Sequence, residues 1–356
     1  MDTIRSPIQQ KIRVLVVDDS AFVRRALIRM FKESPLIQVI DVAADGEMAI
    51  ALIKKLRPDV VTMDIRMPVL DGLKALERIM RECPTPVVML SSLTEKGGEN
   101  TLKALELGAV DFIDKSSAGG PMDISVIADE LAAKIHIAAQ IDVHKLLSSQ
   151  DTREHAGISP PKPILNRGDT EVVLIGTSTG GPPALQVILS AIPAGFPCPI
   201  LIVQHMPPGF TASLAERLNR TSPLHVKEAT DGELIEAGRA YIAPAGKQMK
   251  IKRSGGGLQV WLDIFPENAL HSPSVDVLFE SAALECRGRC LALVLTGMGR
   301  DGSNGAQVLK RAGARIVAES EETARVFGMP KAVIESVQVD SIVPLSDVAQ
   351  TIVKMI

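Results

Sequence analysis

Three polar residues in the second half of the chain, Ser178, His205 and Asp301, are of the types that together carry acyl transfer. Ser178 lies in Gly176-Thr177-Ser178-Thr179-Gly180-Gly181. The Gly-x-Ser-x-Gly spacing fits a nucleophile elbow, where small flanking residues permit a tight turn that exposes the hydroxyl. The same stretch also fits a phosphate-binding turn, or simply a tight Gly-rich one. His205 opens His205-Met206-Pro207-Pro208-Gly209, and Asp301 lies in Thr296-Gly297-Met298-Gly299-Arg300-Asp301-Gly302. A serine hydroxyl is a poor nucleophile until a neighbouring imidazole takes its proton. A carboxylate on the other ring nitrogen orients that imidazole and stabilises its cation. The order serine, histidine, aspartate differs from that of α/β-hydrolases, in which the acid precedes the histidine, so the motif does not assign that fold.

The first half holds a different set: Asp18, Asp19, Asp64, Ser91 and Lys115. Carboxylates gathered at one sheet edge repel each other unless a cation sits among them, and a hard divalent ion with oxygen ligands, such as Mg²⁺, meets that need. Lys115 brings a positive charge for a carboxylate or a phosphoryl oxygen, and an aspartate can act as a nucleophile that accepts a phosphoryl group. The plain alternative is an α/β domain with solvated loop acids.

The elements that must position both sets read as an alternation. Ile12–Val17, Val39–Ala43, Val60–Met63, Val87–Leu90 and Val110–Ile113 are short apolar runs separated by helical patterns such as Phe22, Ala26, Leu27, Met30. Alternation of this kind predicts a parallel sheet with helices on both faces, with ligands at the C-terminal strand ends. Asp18, Asp64, Ser91 and Lys115 end or follow those runs. The alternation resumes after residue 170. Val172–Ile175, Pro199–Gln204 and Leu291–Leu295 are buried-strand runs that lead into Ser178, His205 and the Asp301 loop. Pro182 and Pro183 suit the first turn of the helix after Ser178. Residues 230 to 265, with Tyr241–Gly246, Met249–Ile251 and Leu258–Leu262 between Gly-rich turns, read as a small antiparallel excursion. A helix opens near Ser274-Val275-Asp276, with serine as its cap.

A length of 356 residues predicts two domains. The boundaries are read as a first α/β domain at 11–130, a helical extension (Ile124, Ile127, Leu131, Ile135, toward Leu147) with a polar, Pro-containing linker at 131–169, and a second α/β domain at 170–356. A net charge of −3 and 3% aromatic content exclude a general nucleic-acid binder. No apolar run approaches membrane-spanning length and the N-terminus lacks a signal-peptide core, so the chain is expected to be cytoplasmic and not membrane-inserted. Cys83, Cys198, Cys286 and Cys290 form no CxxC pair.

Residues 12 to about 130 resemble a response-regulator receiver domain, a flavodoxin-like doubly wound sheet. The resemblance implies that Asp64 is the phosphoacceptor and that Asp18, Asp19 and Asp64 hold Mg²⁺. It also implies that Ser91 and Lys115 contact the phosphoryl group and that Phe112 is the switch aromatic. Arg66 departs from the acidic residue expected two places after the phosphoacceptor.

The second half resembles the catalytic domain of chemotaxis protein-glutamate methylesterases through GTSTGG, QHMPPGFT, HSPSVDVLF and TGMGRDG. That resemblance implies Ser178 as nucleophile, His205 as general base and Asp301 as orienting acid, with Thr179 and the Met298 amide holding the oxyanion. It implies methylated glutamates and glutamines of chemoreceptors as substrates, a chemotaxis histidine kinase as phosphodonor, and no cofactor for the esterase. The expectation is an esterase that its receiver inhibits until Asp64 is phosphorylated. The rival reading is a response regulator whose output domain only binds a partner. A DNA-binding output is disfavoured, because no short basic helix-turn-helix follows the linker.

Overall fold

In the computed structural model, residues 10–91, 95–115, 127–143, 168–267 and 269–356 are described. The chain divides into two units, Met1–His155 and Ala156–Ile356. In the first, β1 (Ile12–Val17), β2 (Ile37–Ala43), β3 (Val60–Asp64), β4 (Val87–Ser91) and β5 (Asp111–Asp114) form a parallel sheet in the order β2-β1-β3-β4-β5. Val14, Val16, Val60, Val88 and Leu90 are buried on the sheet, against Val23 and Leu27 of the helix Ala21–Phe31 and Leu131 and Ile135 of the helix Ala128–Ala138. Three helices start at side-chain caps: Ser20, Asp45 and Asp71 accept from the amides of Val23, Met48 and Lys74. Leu131 and Ile135 of the expected helical pattern lie on the helix Ala128–Ala138; Ile124, Leu147 and residues 144–167 of the expected linker lie outside the described residues.

In the second unit a seven-stranded sheet runs β14-β13-β12-β6-β7-β9-β8, and every pairing in it is parallel. Its members are β6 (Val172–Thr177), β7 (Ile200–Gln204), β8 (His225–Glu228), β9 (Arg239–Ile242), β12 (Cys290–Val294), β13 (Arg315–Glu319) and β14 (Ser341–Val343). Val172, Val173, Leu174 and Ile175 are fully buried, as a central parallel strand demands, and each such side chain contributes about 1.5–3 kcal/mol. β10 (Gln248–Ser254) and β11 (Gly257–Asp263) form a separate antiparallel pair.

That last point corrects the sequence reading of residues 230 to 265. β10 and β11 are antiparallel, and Leu234 makes an isolated antiparallel bridge to Gln259, but Ala240, Tyr241 and Ile242 run parallel to Ile200, Leu201 and Ile202 in the main sheet. The glycines at 238 and 246 punctuate β9 as hairpin turns would, but complete burial of Ala240–Ile242 on both faces marks an interior strand. β8 and β14 escaped the sequence reading because they are short edge strands with half-exposed side chains and no continuous apolar run.

The chain leaves β6 in two directions, through β7 to β9 and β8 on one side and through β12 to β13 and β14 on the other. Such a reversal opens a crevice at the C-terminal strand ends. Ser178, His205 and Asp301 follow β6, β7 and β12, the three adjacent strands at that reversal.

Candidate active site

Ser178 begins the turn between β6 and the helix Gly181–Ala191. Its amide donates to Thr296 O (3.0 Å), and its carbonyl accepts from Gly181 N–H (2.8 Å). Gly180 makes the turn with a φ of 83°, and a Cβ there would press on Thr296 Oγ1 at 2.9 Å, so the position needs glycine. Thr296 ties the neighbouring loops together. Its carbonyl also accepts from Thr177 Oγ1 (2.8 Å), its hydroxyl donates to Thr179 O (2.8 Å) and accepts from Val326 N–H (3.0 Å), and its amide donates to the buried Glu319 (2.8 Å).

His205 extends the β6–β7 ladder by one bond, its amide donating to Thr177 O at 3.0 Å. Its Nε2 meets Asp301 Oδ2 at 2.7 Å. The Nδ1 is buried and has no hydrogen-bond partner among the described residues. Ser178 Oγ likewise makes no hydrogen bond among the described residues, so none joins the serine hydroxyl to the histidine ring; such bonds often form only when substrate binds.

Asp301 is heavily coordinated. Oδ2 also accepts from Val275 N–H (2.7 Å), and Oδ1 accepts from Ser274 Oγ (2.9 Å), Asp276 N–H (3.0 Å) and Gly302 N–H (3.1 Å). The Val275 and Asp276 amides open the helix Val275–Cys286, whose N-terminal dipole favours an anion. Burial pushes the Asp301 carboxyl up, but the His205 hydrogen bond and charge and the Asp276 and Val275 amides outweigh it and hold it at about 2. The group is a permanent anion at working pH, able to fix the His205 tautomer.

Thr179 is buried in the turn beside Ser178, and Met298 is part-exposed in the loop after β12. The Met298 amide donates to no acceptor among the described residues.

Three neighbours of the triad residues were not singled out from the sequence. His271 stacks on His205, with ring centroids 4.1 Å apart and planes 20° apart. Burial, with the nearby His205 charge, pulls its pKa down to about 4. Gln248, buried, sets that segment by donating to His271 O (2.8 Å) and accepting from Ser274 N–H (2.8 Å). Gln204 ends β7, and a polar side chain closing an apolar run immediately before a histidine is the signal that could have found it.

In the first unit, Asp18, Asp19 and Asp64 place ligand oxygens within 4.8 Å of one another. This all-oxygen acidic set fits a hard divalent cation. Lys115 Nζ lies 2.7 Å from Asp64 Oδ1 and 3.1 Å from Asp18 Oδ2. Burial pushes the Asp64 carboxyl up and Lys115 offsets only part of it. Burial pulls the Lys115 ammonium down, yet Asp64 and Asp18 together hold it above its ordinary value. The asymmetry is physical: one cation serves two carboxylates. Ser91, at the end of β4, accepts from Thr101 Oγ1 at 2.8 Å. Phe112 is buried, with Lys134 Nζ bonded to its carbonyl (2.6 Å) and 5.5 Å from its ring centroid. Arg66 is exposed two residues beyond Asp64.

Comparison with known proteins matches both halves. Residues 14–123 match the family model for the response regulator receiver domain, and residues 173–352 match that for the CheB methylesterase. A protein-glutamate methylesterase/protein-glutamine glutaminase of Geobacillus kaustophilus is 46% identical over 346 residues, covering 97% of this chain and 99% of that protein. One of the same name from Archaeoglobus fulgidus is 44% identical, covering 97% and 98%. Among solved structures, the Thermotoga maritima CheB methylesterase catalytic domain aligns with 43% identity and a TM-score of 0.51, covering 52% of this chain and 99% of that one. With an esterase-type site at the reversal of one parallel sheet and an acidic pocket at the edge of another, the chain belongs to the CheB methylesterase family.

Proposed function

We propose that this chain is a phosphorylation-regulated protein-glutamate methylesterase and protein-glutamine glutaminase. The observation that carries the reading is the Asp301–His205 pair, with its carboxylate held by helix N-terminal amides and His205 Nδ1 left without a partner beside the Ser178 turn. A pure binding module has no use for an imidazole so fixed.

Ser178 Oγ attacks the carbonyl carbon of a glutamyl methyl ester while His205 Nδ1 takes the hydroxyl proton. The Met298 amide and Thr179 stabilise the oxyanion. Collapse breaks the ester C–O bond, and His205 returns the proton to the departing methoxide, releasing methanol. Water then attacks the glutamyl–Ser178 ester with His205 as base, yielding the carboxylate and free Ser178. A glutamine side chain follows the same path with ammonia as leaving group. Asp301 remains ionised throughout and orients the ring.

In the receiver, assigned to 11–130, the Asp64 carboxylate accepts a phosphoryl group from a chemotaxis histidine kinase, with Lys115 and Ser91 as phosphoryl contacts and Phe112 as the responding aromatic. Asp18, Asp19 and Asp64 would hold Mg²⁺, which when bound neutralises charge on the phosphoryl oxygens. The catalytic domain, assigned to 170–356, acts on methyl-accepting chemoreceptors at their cytoplasmic helices, so the enzyme works in the cytoplasm. Among the described residues, no helix is long and apolar enough to cross a membrane.

The test is methanol release from methylated receptor membranes, with and without a small phosphodonor. Folded Ser178→Ala should lose about 10⁵-fold or more in kcat. Near-wild-type release by that variant would remove Ser178 from the mechanism.

A further inference from the structure

Ser178 and His205 lie beyond the last rungs of their strands, where the sheet no longer sets their spacing. The β6–β7 register ends with Thr177 opposite Gln204. One more backbone bond follows, from His205 N–H to Thr177 O, and no side-chain hydrogen bond joins the serine to the histidine. What crosses between the two residues is the Gln204 side chain. It is 2% exposed, and its Nε2 donates to Ser178 O at 2.9 Å and to His205 O at 3.0 Å.

The amide has one workable orientation. Reversed, its oxygen would face two carbonyl oxygens. As placed, Oε1 lies against Gly181, where an added Cβ would come within 2.0 Å, and it meets no donor among the described residues. A buried acceptor left unpaired is unfavourable. The site tolerates it, and both amide hydrogens go to the backbone of the two residues that must react together.

We infer that Gln204 is a positioning residue that sets the distance between the Ser178 hydroxyl and the His205 imidazole by clamping both carbonyls. The inference rests on the reading of Ser178 as nucleophile and His205 as base. Its physical basis is the sensitivity of proton transfer and attack to placement, for which about 1 Å of misplacement costs about 10²-fold. Gln204→Glu keeps the shape and turns a carboxylate toward two carbonyls. Gln204→Met keeps most of the volume and removes the donors.

The experiment measures two quantities on folded full-length protein. One is kcat and KM for methanol release; the other is the rate at which phenylmethylsulfonyl fluoride labels Ser178, which reads serine–histidine geometry without the receptor substrate. Both variants should lose about 10²-fold in kcat with KM within about twofold, and labelling should slow in parallel. Wild-type kcat and labelling in either folded variant would overturn the clamp, as would a fall in kcat with labelling unchanged. Failure of both variants to fold would make Gln204 a structural residue and also overturn it. Wild-type protein that resists labelling, with Ser178→Ala as blank, would instead strike the nucleophile reading and take the clamp down with it.

Discussion

Two buried aspartates stand at the C-terminal edges of the two parallel sheets, and their surroundings drive them in opposite directions. Asp64 shares one ammonium with Asp18, and burial leaves its carboxyl above the ordinary value. Asp301 is just as hidden, but burial is outweighed by His205 and by the amides of Asp276 and Val275, so it sits at about 2. The first carboxylate is under-compensated, so it gains from an added cation. The second is saturated and has nothing left to accept, which suits a group that orients another without changing its own charge. Burial alone therefore does not decide what a carboxylate does; the count and placement of donors does.

The sharpest way to break the contrast is Asp301→Asn. If the carboxylate fixes and charges His205, kcat for methanol release should fall by about 10⁴-fold, less than for Ser178→Ala, because binding and the oxyanion donors survive. A loss under tenfold would show that the His205 tautomer is set elsewhere. The counterpart change, Asp64→Asn, should abolish the response to a phosphodonor altogether, and chelation of divalent ions should do the same to unsubstituted protein. A stimulated rate that persists in Asp64→Asn would place the phosphoacceptor on another residue.

Stability sharpens the same comparison. Asp301 falls from an ordinary 3.8 to about 2, which corresponds to about 2–3 kcal/mol at neutral pH. A depressed acid stabilises the fold above the unfolded value, and that contribution is lost as pH falls through about 2. Asp301→Asn should therefore lower the melting temperature of the catalytic unit. Asp64, raised when folded, opposes folding in its ionised form, so Asp64→Asn should raise the melting temperature of the receiver unit. The chain's single tryptophan, Trp261, and single tyrosine, Tyr241, both lie in the catalytic unit. Tryptophan fluorescence follows that unit selectively, while calorimetry reports both. Shifts of the same sign in the two variants would refute the electrostatic contrast.

The smallest effect concerns His271. Its pKa of about 4 lies below the ordinary 6.5, so between those values the unfolded chain takes up a proton that the folded one does not. Stability should fall as pH drops from 6.5 toward 4. His271→Gln should flatten that part of the urea-midpoint profile read by Trp261. An unchanged slope would mean that the ring stacked on His205 is not the group that resists protonation.

Much of this was legible in the chain itself. Apolar runs of strand length leading into Asp18, Asp64, Ser91, Ser178 and His205 placed the candidate site residues at strand ends. Glycines and prolines marked the turns after them. These signals are local, because period and turn chemistry act over a few residues. The receiver strands showed through for that reason, while β8 and β14 did not, being edge strands too short and too exposed to leave an apolar run. β9 was misplaced because its flanking glycines look alike around a hairpin strand and a parallel one.

Tertiary structure decided everything that depends on register between distant segments. His205 and Asp301 are 96 positions apart, and their 2.7 Å contact exists because β7 and β12 flank β6 in one sheet. The same packing aims the N-terminus of Val275–Cys286 at Asp301, chooses Nε2 as the nitrogen that meets the carboxylate, and lays His271 on the imidazole. It also brings the Ser178 and His205 carbonyls within reach of one buried amide at the end of β7. Residue types name the available chemistry. Donor counts, tautomers and desolvation belong to the assembled site, because each is a sum over neighbours that only the fold brings together.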